Sequence, residues 1–133
     1  MTTTITDVRT IGITVRDQDD AVEFYVDTLG FEKRLDAPIS PTMRWIEVAP
    51  AGATTSIALN LDADATTDAT TDARTDPTDT GIRFVVPDAA AEHASMSSRG
   101  VVVGELLEWD GVPPMFEFDD PDGNRFYVVE VSS

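Results

Sequence analysis

Cysteine is missing from this chain of 133 residues, so neither disulfides nor thiolate chemistry can contribute. Histidine occurs once, as His93, and lysine once, as Lys33. A single histidine cannot build the two-histidine, one-carboxylate triad of non-haem iron oxygenases. It also leaves no serine with a plausible imidazole base nearby. A glycine-rich phosphate loop and a dinucleotide fingerprint are absent as well. No apolar run approaches the ~20 residues that span a bilayer. The polar opening MTTTITD lacks the apolar stretch of a secretory signal, and a cytoplasmic location is expected. Basic residues are scarce, 9 against 25 acidic ones, for a formal net charge of −16. Such a chain is repelled by nucleic acid and by anionic membrane surfaces. An acidic, lysine-poor surface suits concentrated salt, where a Debye length of about 3 Å relieves self-repulsion, so halophilic adaptation is expected.

What the chain does have is enough apolar material for one folded domain: 41% hydrophobic residues and a mean hydropathy of −0.12. Residues 8–15 (VRTIGITV) alternate, with Ile11, Ile13 and Val15 on one face and Thr10, Gly12 and Thr14 on the other, as a half-buried strand does. Asp17 then offers a helix N-cap, and Ala21, Phe24, Tyr25 and Leu29 follow at helical spacing up to Gly30. Residues 31–35, 43–48 and 56–61 read as three more strands, the last two joined by the turn PAGATT.

Residues 62–80 change character. The run ADATTDATTDARTDPTDT holds almost nothing apolar larger than alanine and reads as a flexible, solvated, acidic loop. The first pattern then returns. Ile82, Phe84 and Val86 stand 71 residues after Ile11, Ile13 and Val15, and Asp88 stands 71 after Asp17. A second helix ends at Gly100, 70 residues after Gly30, and residues 101–103, 114–118 and 126–131 supply further strands. Strand, cap, helix and glycine recur in register, which marks a duplication: one domain over 1–133, with units at 5–61 and 81–131.

Two tandem βαβββ units, the segment VRDQDDAVEFYVDTLGFE and the segment DDPDGNRFYVVE together resemble the vicinal oxygen chelate superfamily, which includes glyoxalase I, extradiol dioxygenases and bleomycin-binding proteins. The resemblance covers nearly the whole chain outside the Thr/Asp-rich loop. It implies an α+β fold, a curved mixed sheet around a cleft, with each helix on the far face. On that plan Ile11, Ile13, Val15, Ile82, Phe84 and Val86 meet the helices. The cleft receives Thr10, Trp45, Glu47, Asn60, Arg83, Met115, Glu117, Arg125 and Tyr127, with Trp109 beside them. These residues mix aromatic and polarizable surface with orienting polar groups, as small-molecule pockets do. Alternatively, the tryptophans pack at an interface and Arg83 and Arg125 pair with Glu117 and Glu47.

The metal-dependent members of that superfamily hold a divalent ion with four His, Glu or Gln side chains, one from each of four cleft strands. The corresponding positions here are Thr10, Ala58, Gly81 and Tyr127, none a usual transition-metal ligand. His93 lies in the second helix, between Ala89 and Met96 on the side facing the sheet, and reads as structural. The resemblance therefore implies a metal-independent protein without cofactor, binding a small organic molecule, with sequestration as its mode of action, as a homodimer. Two other readings fit the same residues. One is a lyase, isomerase or dioxygenase using a divalent metal through unusual oxygen ligands such as Glu47 and Glu117. The other is a non-catalytic interaction domain whose cleft is filled by its own side chains.

Overall fold

The computed structural model describes residues 3–62 and 78–131, so most of the Thr/Asp-rich segment lies outside the described residues. Two compact units divide the chain, Met1–Thr67 and Asp68–Ser133. Each is a four-stranded mixed sheet with its helical segment inserted after the first strand, and the fold is α+β.

In unit 1, β1 (Thr10–Val15) leads through a turn into α1 (Gln18–Val22), which continues as a π-helical stretch, Glu23–Thr28. Asp17 caps this helix: its side chain accepts a hydrogen bond from the Asp20 amide at 3.0 Å. The π geometry is seen in the Leu29 amide, which donates to the carbonyl of Phe24, five residues back, at 2.9 Å. Gly30, with φ of 85°, then turns the chain out of the helix. β2 (Glu32–Ser40), β3 (Met43–Ala49) and β4 (Ser56–Leu61) form an antiparallel meander, and β4 pairs in parallel with β1, giving the order β1-β4-β3-β2. β2 is longer than the expected strand at 31–35. It runs five residues further because the β2–β3 pairing continues to Ser40 opposite Met43, absorbing two register shifts.

The alternation of β1 decides which face is buried. Ile13 and Val15 are buried, as are Ile57 and Leu59 of β4 and Ile46 and Val48 of β3, all on the face that meets the helix through Ala21 and Tyr25. Each of the larger side chains contributes about 1.5–3 kcal/mol by leaving water. Gln18 is the polar exception: its amide donates to the carbonyls of Arg44 (2.7 Å) and Leu59 (2.9 Å) and accepts from the Arg44 amide (3.1 Å). Those bonds satisfy a buried group and tie the start of the helix to β3 and β4.

Unit 2 repeats the plan with β5 (Thr78–Val86), α2 (Ala89–Ser98), β6 (Val102–Val103), β7 (Met115–Asp119) and β8 (Asn124–Glu130), in the order β5-β8-β7-β6. β5 begins at Thr78, within the expected 62–80 loop, because Thr78 and Asp79 already pair with Asn124 and Arg125. Asp88 caps α2 through the Ala91 amide (3.0 Å), and the carboxylate of Glu130 accepts from the Ala89 amide (3.0 Å). The core here is aromatic. Phe84, Phe118 and Phe126 lie with ring centroids 5.2–6.1 Å apart, and Phe116 is fully buried beneath the helix.

The DPDGN segment makes the β7–β8 turn. One carboxylate oxygen of Asp120 accepts from the amides of Asp122 (2.9 Å) and Asn124 (2.8 Å), and the other from the Asn124 side chain (2.9 Å). Asp120, Asp122 and Asn124 are buried, and Gly123 supplies the positive φ of 82°. The motif is a turn scaffold, and it fixes where β8 starts.

Candidate functional site

The helix-free face of each sheet carries nearly all the residues singled out in the sequence. In unit 1 the register sets Gly12, Ala58, Glu47 and Leu35 in one row across the four strands. Thr14 pairs with Asn60 and Thr10 with Ser56 on β1 and β4, while Trp45 stands opposite Ala37 on β2. Thr10, Trp45, Glu47 and Asn60 therefore share a face because they share a parity. Glu47 is only 3% exposed, whereas Trp45 is 43% exposed. The indole N–H of Trp45 donates to Glu47 Oε2 at 2.8 Å, and Arg9 Nη2 lies 3.5 Å from the same oxygen. Gly12 lies beside them, and a Cβ there would come within 2.7 Å of Asn60 Nδ2.

In unit 2 one row holds Arg83, Tyr127 and Glu117, a second holds Asp79, Arg125 and Asp119, and a third holds Val85, Val129 and Met115. The Arg83 guanidinium lies 5.5 Å from the centroid of the Tyr127 ring, a cation–π contact. Arg125 grips Asp119 with two hydrogen bonds, 2.9 and 3.2 Å, and its Nε is 3.5 Å from Glu117 Oε2. The hydrogen bond to Asp119 is the main reason the Arg125 pKa is raised, against the opposing effect of burial. Trp109 stands apart, 60% exposed, in the connection between β6 and β7.

The arginines pair differently from the alternative given above: Arg125 meets Glu117, Glu47 takes Arg9, and Arg83 stacks on Tyr127. His93 packs edge-on against Phe116 at 5.0 Å, and its Nε2 lies 2.8 Å from the Gly104 carbonyl oxygen, a structural arrangement inside unit 2. Three residues escaped the sequence reading. Asp119 has the same parity as Met115 and Glu117, so extending β7 by one residue would have found it. Arg9 lies in the expected strand 8–15 at the parity of Ile11 and Ile13, but β1 begins at Thr10 and the Arg9 side chain reaches Glu47 instead. Gln18 looks like an ordinary first-turn residue until its three partners are seen.

A depression of about 490 Å³ also opens at one end of unit 1, between the start of the helix and the β2–β3 turn. None of the ten candidate residues lines it. Arg44, one of the charged residues lining it, is already paired with Asp19 (2.7 Å) and Asp36 (3.1 Å), and its pKa is raised chiefly by the hydrogen bond to Asp19.

The four metal-ligand positions implied by the resemblance do not fit a transition metal. Thr10 offers a hydroxyl and Ala58 offers nothing. Gly81 sits in a bulge of β5 at φ 76°, with only its carbonyl on offer, and Tyr127 lies beneath Arg83. Both candidate carboxylates, Glu47 and Glu117, face arginine. Among the described residues no group of three or more His, Cys, Asp or Glu side chains is placed to hold an ion.

Fold and register together define a protein of duplicated βαβββ units. Residues 8–128 match the Glyoxalase family, described as the Glyoxalase/Bleomycin resistance protein/Dioxygenase superfamily, and the chain belongs to that family. The chain is 30% identical over 129 residues to the uncharacterised protein YetH of Bacillus subtilis strain 168, a match spanning 95% of this chain and 99% of the relative. Among solved structures it resembles a member of the same superfamily from Sphaerobacter thermophilus DSM 20745, with 35% identity, a TM-score of 0.80, and 96% and 98% of the two chains covered. It also resembles TnmS3, an antibiotic binding protein from Streptomyces sp. CB03234, with 30% identity, a TM-score of 0.79, and 98% and 100% covered.

Proposed function

We propose that this chain is a metal-independent member of the superfamily that binds a small, partly aromatic organic molecule on its helix-free sheet faces and acts by sequestering it. The observation that carries the reading is the chemistry at the four ligand positions: Thr10, Ala58, Gly81 and Tyr127 supply no set of imidazole or carboxylate ligands. The same faces keep what a binding surface needs. Trp45, Tyr127 and Met115 offer apolar and polarizable area, and Asn60, Arg83, Glu117 and Arg125 offer polar groups in fixed positions. The likeness to TnmS3, whose description is antibiotic binding, supports the same class of ligand. Homodimer assembly belongs to this proposal, an isologous contact being the ordinary way for such a chain to associate.

The test has two arms. Elemental analysis of the purified protein is expected to find no stoichiometric transition metal, and a panel of aromatic antibiotics is expected to contain compounds that raise its melting temperature in a saturable way. A tightly held metal at one equivalent, together with turnover lost on chelation, would overturn the reading in favour of a metal-dependent enzyme.

A further inference from the structure

The Glu47 carboxylate is nearly buried but only lightly engaged by protein groups. It is 3% exposed, yet both of its contacts fall on Oε2: one hydrogen bond from Trp45 and an ion pair at 3.5 Å from Arg9. Oε1 takes no hydrogen bond among the described residues and is not sealed from solvent. A carboxylate has room for about four hydrogen bonds, and withdrawing its charge from water is costly unless those sites are filled. Arg9 is a weak filler, because its side chain is 77% exposed and holds the pair at long range.

Two neighbours on the same face complete the surface. The Asn60 amide, exposed and lying across Gly12, makes no hydrogen bond among the described residues. Gly12 keeps that position open, since any larger residue would push the Asn60 amide aside. The Trp45 indole presents its exposed surface next to the carboxylate that it hydrogen-bonds. A free carboxylate oxygen, an uncommitted amide and an aromatic ring on one sheet face are complementary to a positive charge carrying N–H donors.

We propose that the helix-free face of unit 1 is a recognition site for an aromatic cation bearing N–H donors, with Glu47 as its counter-ion, Trp45 as its stacking surface and Arg9 as an internal stand-in that the ligand displaces. The inference rests on the small-molecule reading above and narrows it to aromatic cations of that kind. The negative chain favours the approach of such ligands, and the site decides which of them stays.

Three ligands of one ring system test it: 9-aminoacridine as the cation, acridine as the neutral form and acridine-9-carboxylate as the anion. Titration calorimetry at about 1 M KCl removes the general field, the Debye length there being about 3 Å. The cation is expected to bind about tenfold tighter than neutral acridine, with the anion weakest. Glu47→Gln should abolish that preference, Arg9→Ala should tighten 9-aminoacridine binding several-fold, and Glu23→Gln, on an exposed helical position of the same unit, should change neither. Equal binding of acridine and 9-aminoacridine, or a preference that survives Glu47→Gln, would remove the cation site while leaving small-molecule binding in place. Binding by none of the three would remove it as well, and the antibiotic panel would then decide the broader reading separately. Should Glu47→Gln fail to fold by circular dichroism, Arg9→Ala still decides: unchanged or weaker binding counts against the proposal.

Discussion

Two glycines separate crowding that can relax from crowding that cannot. A Cβ at Gly12 would meet Asn60 Nδ2 at 2.7 Å, the far end of an exposed side chain that can swing away. A Cβ at Gly104 would meet Glu117 Cγ at 2.7 Å and Oε1 at 3.1 Å, where the Gly104 amide also donates to the Glu117 carbonyl at 2.7 Å. The Cγ is held close to a backbone already fixed by that bond. Gly104→Ala is therefore expected to destabilise the fold by about 1–3 kcal/mol, as overpacking does. Gly12→Ala is expected to stay within about 1 kcal/mol of the parent. Urea unfolding of the two variants checks the order, and equal losses would show that Asn60 is as firmly held as Glu117.

At the scale of elements, the caps carry a measurable share of helix stability. Asp88→Ala removes the bond to the Ala91 amide and is expected to cost about 1 kcal/mol in urea unfolding. Adding Glu130→Ala should increase the loss, because Glu130 reaches the Ala89 amide from the end of β8. These elements were legible for a physical reason. Alternation in β1 and β5, aspartate caps at 17 and 88 and glycines at 30 and 100 are local signals, and each sits where the backbone needs it. The length of β2 was not legible, since EKRLDAPIS is almost wholly exposed and is held as a strand by its pairing with β3. The candidate site was half legible for the same cause. Parity found Glu47, Arg83 and Tyr127, but nothing in parity could find Arg9, whose role depends on the reach of a long side chain.

At the scale of the whole molecule, charge and repetition dominate. With a formal net charge of −16 and a single lysine, the folded chain repels itself in dilute buffer. Its melting temperature is expected to rise as KCl increases from about 0.1 M to about 2 M, where screening shortens the range of that repulsion. A melting temperature that falls over the same series would show that specific ion pairs outweigh the general field. Repetition leaves a subtler trace. The two caps are 71 residues apart but the two glycines only 70, so the first unit spends one residue more between cap and turn. The π-helical stretch Glu23–Thr28 is where that residue is lodged, because a turn closed five residues back takes in an extra position. One widened turn thus absorbs the extra residue, so that a glycine with positive φ still ends the helical segment in both units.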